Sequence, residues 1–235
     1  MGRQEKKATP RTLSAVYRRL FSAFGPQHWW PGETPFEVAV GAILTQNTSW
    51  TNASRAVREL KRLNLLDPRR LSRMPQRRLA QIIRSCGYFN QKAKRLKVFV
   101  RYLLKNYGGR MDRMRTVPAG RLREELLGLW GIGPETADSI LLYALEKPLF
   151  VVDAYTRRVL ARHSLISWQA PYDQIQRLFD PFPEGGRGRV KMFNEYHALF
   201  VQTGKSFCTT RYPRCSECPI RHVGTLKLEP KTHKK

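Results

Sequence analysis

Apolar residues recur at spacings of three and four through most of this chain and almost nowhere alternate. That period belongs to helices with one buried stripe, and it leaves little from which to build a sheet. Leu13, Val16, Tyr17, Leu20, Phe21 and Phe24 form the first stripe, which stops at GPQHWWPGETP, where Pro and Gly end regular structure. The same pattern predicts helices over 36–44, 53–63, 77–86, 91–107, 120–130, 134–145, 154–162, 172–179 and 191–206. The segment 36–44 is apolar on every side and reads as buried, whereas 53–63 keeps Arg55, Arg58, Lys61 and Arg62 for an outer face. In the last segment Phe193, Tyr196, Phe200, Val201 and Phe207 share one face, which predicts a helix at the centre of a core. The one strand-like run is LFVV at 149–152. The expected fold class is all-α, without a solenoid repeat, and the polar ends at 1–10 and 225–235 are expected to be disordered.

At 235 residues with 41% hydrophobic content, the chain can build one large domain or two small ones. Lys and Arg number 43 against 18 acids, a formal charge of +25 that is spread along the chain rather than held in one tail. Such an excess calls for a polyanionic partner. No apolar run approaches the roughly 20 residues of a membrane span. The start MGRQEKKATPR lacks the apolar segment of an export signal, so no membrane and a cytoplasmic location are expected. Of the four cysteines, three crowd into 208–218, a clustering that in a reducing compartment points to metal or cluster ligation rather than disulfides.

LWGIGPETAD, at 129–138, offers the most specific local design. A helix, a Gly131-Ile132-Gly133 turn and a second helix opened by Pro134 make a helix-hairpin-helix. Glycine permits close backbone approach, Pro at the first helical turn removes only an amide that would lack a partner, and the remaining amides suit an anion. An ordinary helix corner is the bland alternative, and the +25 charge favours DNA backbone binding over it. Glu135 stands where an anion-binding turn would be expected to carry a cation. Farther on, Asp153 in VVDAY precedes a helix bearing Arg157, Arg158 and Arg162. Spacing leaves two readings for it, a helix N-cap or a shielded carboxylate able to activate water and stabilise a developing cation.

The hairpin with its GxG turn, followed by the V-D motif, resembles the helix-hairpin-helix superfamily of DNA glycosylases, which includes endonuclease III. The resemblance runs from about Phe36 to Cys218. AILTQNT at 42–48 resembles the family's buried helix and the Gln that enters DNA; SCGYFNQKA at 85–93 resembles its G-x-x-N-x-K-A loop; Cys208-x6-Cys215-x2-Cys218 resembles the start of its iron–sulfur loop. HWWP, LTQNTSW, GYFNQKAKRL and GIGPETADSILLYA together look most similar to the branch containing 3-methyladenine DNA glycosylase III.

The resemblance implies two helical lobes with a substrate cleft between them: a six-helix barrel over 36–147 with its hairpin at 120–145, and a second lobe from 11–35 and 148–224. It implies that Gln46 fills the space left by an extracted nucleotide, with Tyr88 as companion, although Tyr88 also reads as a surface aromatic. Asn90, Lys92, Gly131, Gly133 and Thr136 are the further DNA-binding residues it implies. Trp30, Pro31 and Trp50 map onto the residues that sandwich an alkylated base, with Trp29 beside them; at least one of the adjacent tryptophans also reads as core. A stacked base gains about 1–3 kcal/mol per aromatic contact, and a cationic base adds a cation–π term of about 0.5–2 kcal/mol. Asp153 matches the catalytic aspartate.

Glu135 falls in the register where the lyase branch carries its Schiff-base Lys, and a carboxylate forms no imine. The implied activity is therefore a monofunctional glycosylase releasing alkylated purines such as 3-methyladenine. An endonuclease III-like oxidised-pyrimidine glycosylase/lyase and a non-catalytic DNA-binding module are the alternatives. The implied partner is double-stranded DNA carrying a damaged base, met by a monomer at the nucleoid. The cysteine motif is incomplete, because its fourth position is Gly224. His222 is the candidate substitute, so Cys208, Cys215, Cys218 and His222 read as holding a [4Fe-4S] cluster, zinc or nothing. Cys86 reads as buried packing.

Overall fold

The computed structural model describes residues 8–29, 32–182 and 186–227. Among them all regular structure is helical. The run at 149–152 pairs with no strand; Val151 and Val152 are buried, and the amide of Val152 donates to the Tyr172 hydroxyl at 3.2 Å. The chain divides into two compact units, Trp30–Leu149 and the pair Met1–Trp29 with Phe150–Lys235.

The unit Trp30–Leu149 is built around α2 (Pro35–Leu44), which buries Phe36 and every residue from Val38 to Leu44. Its start is fixed by Thr34, whose hydroxyl accepts the Glu37 amide at 3.1 Å, with Pro35 preset for the first turn. α3 (Trp50–Arg62) turns Ala53, Ala56, Val57 and Leu60 inward and leaves Arg55, Arg58, Lys61 and Arg62 exposed. Two short helices follow, α4 (Pro68–Arg73) and α5 (Gln76–Ile82). The first was not marked by periodicity, being too short to show a period; the Asp67 cap, which accepts the Arg70 amide at 2.8 Å, and Pro68 at its first turn were its readable signals. The helix expected to 86 gives way at Ile82, and Arg84–Cys86 tightens into a 3-10 turn ahead of Gly87 and Tyr88, both at positive φ.

α6 (Phe89–Tyr107) then crosses the unit, burying Ala93, Leu96, Phe99, Val100 and Leu103. α7 (Met111–Arg115) is the second short helix the sequence pattern missed. α8 (Ala119–Leu127) ends three residues before Trp130, and α9 (Pro134–Ser139) widens into a π-helical turn over Ile140–Ala144. Ser139 Oγ donates back to the Glu135 carbonyl at 2.7 Å, a contact that competes with the regular ladder just before the widening.

The other unit gathers α1 (Pro10–Phe24), α10 (Ala154–Arg162), α11 (Tyr172–Arg177) and α12 (Gly186–Ser206). As its stripe predicts, α12 is central: Phe193, Tyr196 and Phe200 pack edge-on against Phe150, which stacks on Phe179. The Tyr196 hydroxyl donates to the Leu13 carbonyl of α1 at 2.8 Å. Phe207, expected on that face, lies past the end of α12 and contacts Phe24 at its half-buried edge. The expected disorder of the ends needs correction where the chain is described. The amides of Ala8, Thr225 and Lys227 donate to the carbonyls of Leu165, His163 and Arg162, so these residues are pinned.

Candidate active site and nucleic-acid interface

The hairpin forms as the glycines require. Gly131 sits at φ +82, and a Cβ there would lie 2.7 Å from the Arg95 side chain, so neither a β-carbon nor an ordinary backbone conformation would fit. Gly133 caps α9 with extended backbone, and Pro134 occupies the first turn. The two helices of the hairpin are braced by a bidentate pair: Arg123 Nε and Nη2 donate to the two Asp138 oxygens at 2.8 and 3.3 Å, and Asp138 is fully buried. Asp138 lies inside the motif that drew attention to the hairpin, but its brace was not foreseen; a lone acid facing an apolar helix was the available signal.

Gln46, just past α2, turns onto this hairpin. Its Nε2 donates to the Gly131 carbonyl at 3.0 Å and to Thr136 Oγ1 at 2.8 Å, while its Oε1 accepts from Arg95 Nη1. Asn47 beside it holds φ +50, a conformation that non-glycine residues keep only where surroundings enforce it. Tyr88 is in the same state at φ +45 and is 66% exposed. Asn90 is exposed beside it at the start of α6. Trp130, half-exposed before the turn, carries Lys94 Nζ over its ring at 4.1 Å.

Two expected DNA contacts need correction. Lys92 is fully buried, and its ammonium donates to the Leu44 carbonyl at 2.9 Å and the Cys86 carbonyl at 2.6 Å. Burial lowers its pKa, against the nearby Cys86. It therefore ties the end of α2, which leads to Gln46, to the turn that leads to Tyr88. Thr136 is also buried, with its hydroxyl engaged by Gln46. Cys86 is buried as read, and burial raises its thiol pKa.

Asp153 is the N-cap that one of its readings expected, and its second oxygen faces a histidine. Oδ1 accepts the Thr156 amide at 2.7 Å and caps α10. Oδ2 faces His197 Nε2 of α12 at 3.5 Å. Burial of the carboxyl works against its charge, but the His197 ring and the Thr156 amide outweigh burial and hold its pKa below the ordinary aspartate value. The carboxylate is therefore ionised at neutral pH. Sequence reasoning missed His197, whose place among Phe193, Tyr196 and Phe200 read only as core.

Trp29 is partly buried, with Lys205 Nζ 5.6 Å from its ring centre. Trp50 is partly buried against the core of the unit Trp30–Leu149. Trp30 and Pro31 lie outside the described residues. Glu135 is exposed in the first turn of α9, where a carboxylate is electrostatically favoured by about 0.3–1 kcal/mol.

The cysteine loop departs from the motif at its fourth position, Gly224. Among the described residues no three of His, Cys, Asp and Glu come together as a metal-holding set. Cys208 is buried with Arg162 Nη1 donating to its sulfur at 3.2 Å, and His222 is exposed. Gly224, in the fourth-ligand position, has φ +72, and a Cβ there would collide with the His163 carbonyl oxygen. Cys208, Cys215, Cys218 and His222 thus remain an expectation of the sequence, with Gly224 at the motif's fourth position. Hydrogen bonds close the loop: Arg162 Nη1 to the Thr209 carbonyl at 2.9 Å, and the His163 ring to the Val223 carbonyl at 2.8 Å.

Residues 40–184 match the family model described as the HhH-GPD superfamily base excision DNA repair protein. The chain belongs to this superfamily. As an HhH-GPD protein it is a DNA glycosylase of base excision repair that binds DNA. A putative DNA repair glycosylase of Methanocaldococcus jannaschii is 44% identical over 88% of this chain and 92% of its own length. Endonuclease III of Thermotoga maritima is 29% identical over 80% of this chain and 81% of its own. Among solved structures, the H. pylori 3-methyladenine DNA glycosylase bound to 1,N6-ethenoadenine shares 27% identity at a TM-score of 0.71, over 83% of this chain and 97% of that one. A trapped endonuclease III–DNA covalent intermediate, at 22% identity, reaches a TM-score of 0.77 over 92% of this chain and 95% of that one, and shows the shared fold. Among the described residues no helix is long and apolar enough to cross a membrane.

Proposed function

We propose that this HhH-GPD protein is a monofunctional glycosylase that hydrolyses the N-glycosidic bond of alkylated purines, with 3-methyladenine as the reference substrate. The observation that carries the reading is a carboxylate, Glu135, in the hairpin register where the lyase branch uses an amine, combined with an ionised Asp153. Cleavage builds positive charge on the sugar, and a fixed carboxylate lowers that barrier. In Asp153, Oδ1 caps α10, so Oδ2, which faces His197 rather than a helix amide, is the oxygen that carries this charge and orients the attacking water. An alkylated purine is already cationic and leaves without strong acid assistance. Trp29, Trp30, Pro31 and Trp50 are the residues that the resemblance assigns to stacking, and an aromatic face favours a cationic base over a neutral one. The H. pylori relative, with its bound ethenoadenine, supports that substrate class.

The test is release of bases from duplexes carrying 3-methyladenine, an oxidised pyrimidine or uracil, with borohydride trapping scored separately. Release of 3-methyladenine with no covalent adduct is expected. An adduct, or release confined to the oxidised pyrimidine, overturns the reading and favours the endonuclease III-like one. Asp153→Asn should lower release by at least about 100-fold while DNA affinity stays within about 2-fold, because Asn caps a helix as well as Asp does.

A further inference from the structure

Arg95 has no part in the reading above, yet it stands where the two DNA-directed features of the unit Trp30–Leu149 meet. It projects from α6 onto the hairpin turn, so close that Gly131 has no room for a β-carbon. Its Nη1 donates to Gln46 Oε1, the acceptor it meets among the described residues, and its Nε is buried without a hydrogen-bond partner. A planar guanidinium holds five donors matched to oxyanion geometry. This one therefore has donors in surplus beside a turn whose glycines suit phosphate. Gln46, for its part, is held by three hydrogen bonds, to Gly131, Thr136 and Arg95, and cannot enter a duplex while they persist.

We propose that Arg95 is a phosphate ligand of the hairpin that the free protein keeps engaged with Gln46, so that capture of a DNA phosphate and release of Gln46 toward the duplex are one exchange. A phosphate arriving at the turn offers charged acceptors that outcompete the neutral Gln46 amide oxygen for the guanidinium. Losing that partner weakens the hold on Gln46 at the moment the backbone is anchored. The exchange rests on DNA binding through the hairpin and is independent of which damaged base is removed.

The test is a double-mutant cycle on an undamaged duplex, which keeps it separate from lesion specificity. Gln46→Ala frees Arg95, so binding should tighten about 3–10-fold at low salt, and the slope of log affinity against log salt should steepen by about 0.9, one added phosphate contact. Adding Arg95→Met should erase both gains. Arg95→Lys, which keeps the charge and the fold of a long basic side chain, should retain the slope but bind more weakly than Gln46→Ala alone when combined with it. Thermal unfolding of each variant establishes that it folds. Unchanged or weaker binding by Gln46→Ala, or effects that simply add across the cycle, overturns the proposal. Failure to release 3-methyladenine in the base-release assay would leave it standing.

Discussion

The two oxygens of Asp153 have different partners. Oδ1 caps a helix and Oδ2 faces His197, and the proposed cleavage draws on the negative charge held between them. His197 opposes the burial that disfavours the charge on the acid. The folded pKa lies below the unfolded value of about 3.9, so this carboxylate contributes stability above that pH, and the contribution is lost as pH falls through the folded value. His197→Ala removes a lowering partner and leaves burial in place. The low-pH limb of base release should move to higher pH in that variant, with acid unfolding beginning at higher pH too; a limb that does not move would show that the two groups are uncoupled. The cap reading of Asp153 was legible in the sequence, because a cap depends on neighbours three residues away. The histidine was not, because α12 lies far along the chain.

Among elements, the hairpin is the one whose local sequence and tertiary support can be separated. Gly131, Gly133 and Pro134 specify its turn, and those were readable directly. Its rigidity comes from Asp138 and Arg123, which clamp α8 to α9 from inside. Asp138 is fully buried while Arg123 stays one-fifth exposed, so Asp138→Ala should destabilise the protein by up to about 3–5 kcal/mol in thermal or urea unfolding, the range for breaking a buried pair. A loss below about 1 kcal/mol would mean that the clamp carries little. Lys92 plays the corresponding part for the loops at Gln46 and Tyr88, holding two carbonyls that would otherwise be buried without donors. In sequence it sat in a motif associated with DNA and read as a contact. Depth, which a basic side chain in a basic protein does not announce, reassigns it to positioning.

For the molecule as a whole, the open question in the sequence was what closes the lobe at the cysteine loop. The structure answers with hydrogen bonds from Arg162 and His163 and with a Gly224 that admits no side chain. Protein purified without oxygen should accordingly show no iron–sulfur band in its visible spectrum and less than one bound zinc per chain. Gly224→Cys, which completes the motif on paper, should lower stability by at least about 1–3 kcal/mol through its positive φ alone, rather than create a cluster. A coloured wild-type protein would overturn this account.

Sequence alone determined the helical class, the caps of its helices and the hairpin turn, because each depends on residues within a turn or two of one another. It also carried the resemblance from which the roles proposed for Gln46, Asp153 and Glu135 come. Tertiary structure decided which charges are buried. It put Lys92 and Asp138 inside, and set His197 against Asp153 and Arg95 against Gln46. Those outcomes depend on residues brought together from distant parts of the chain, and desolvation, which sets what a charge can do, is a property of the packed neighbourhood rather than of the residue.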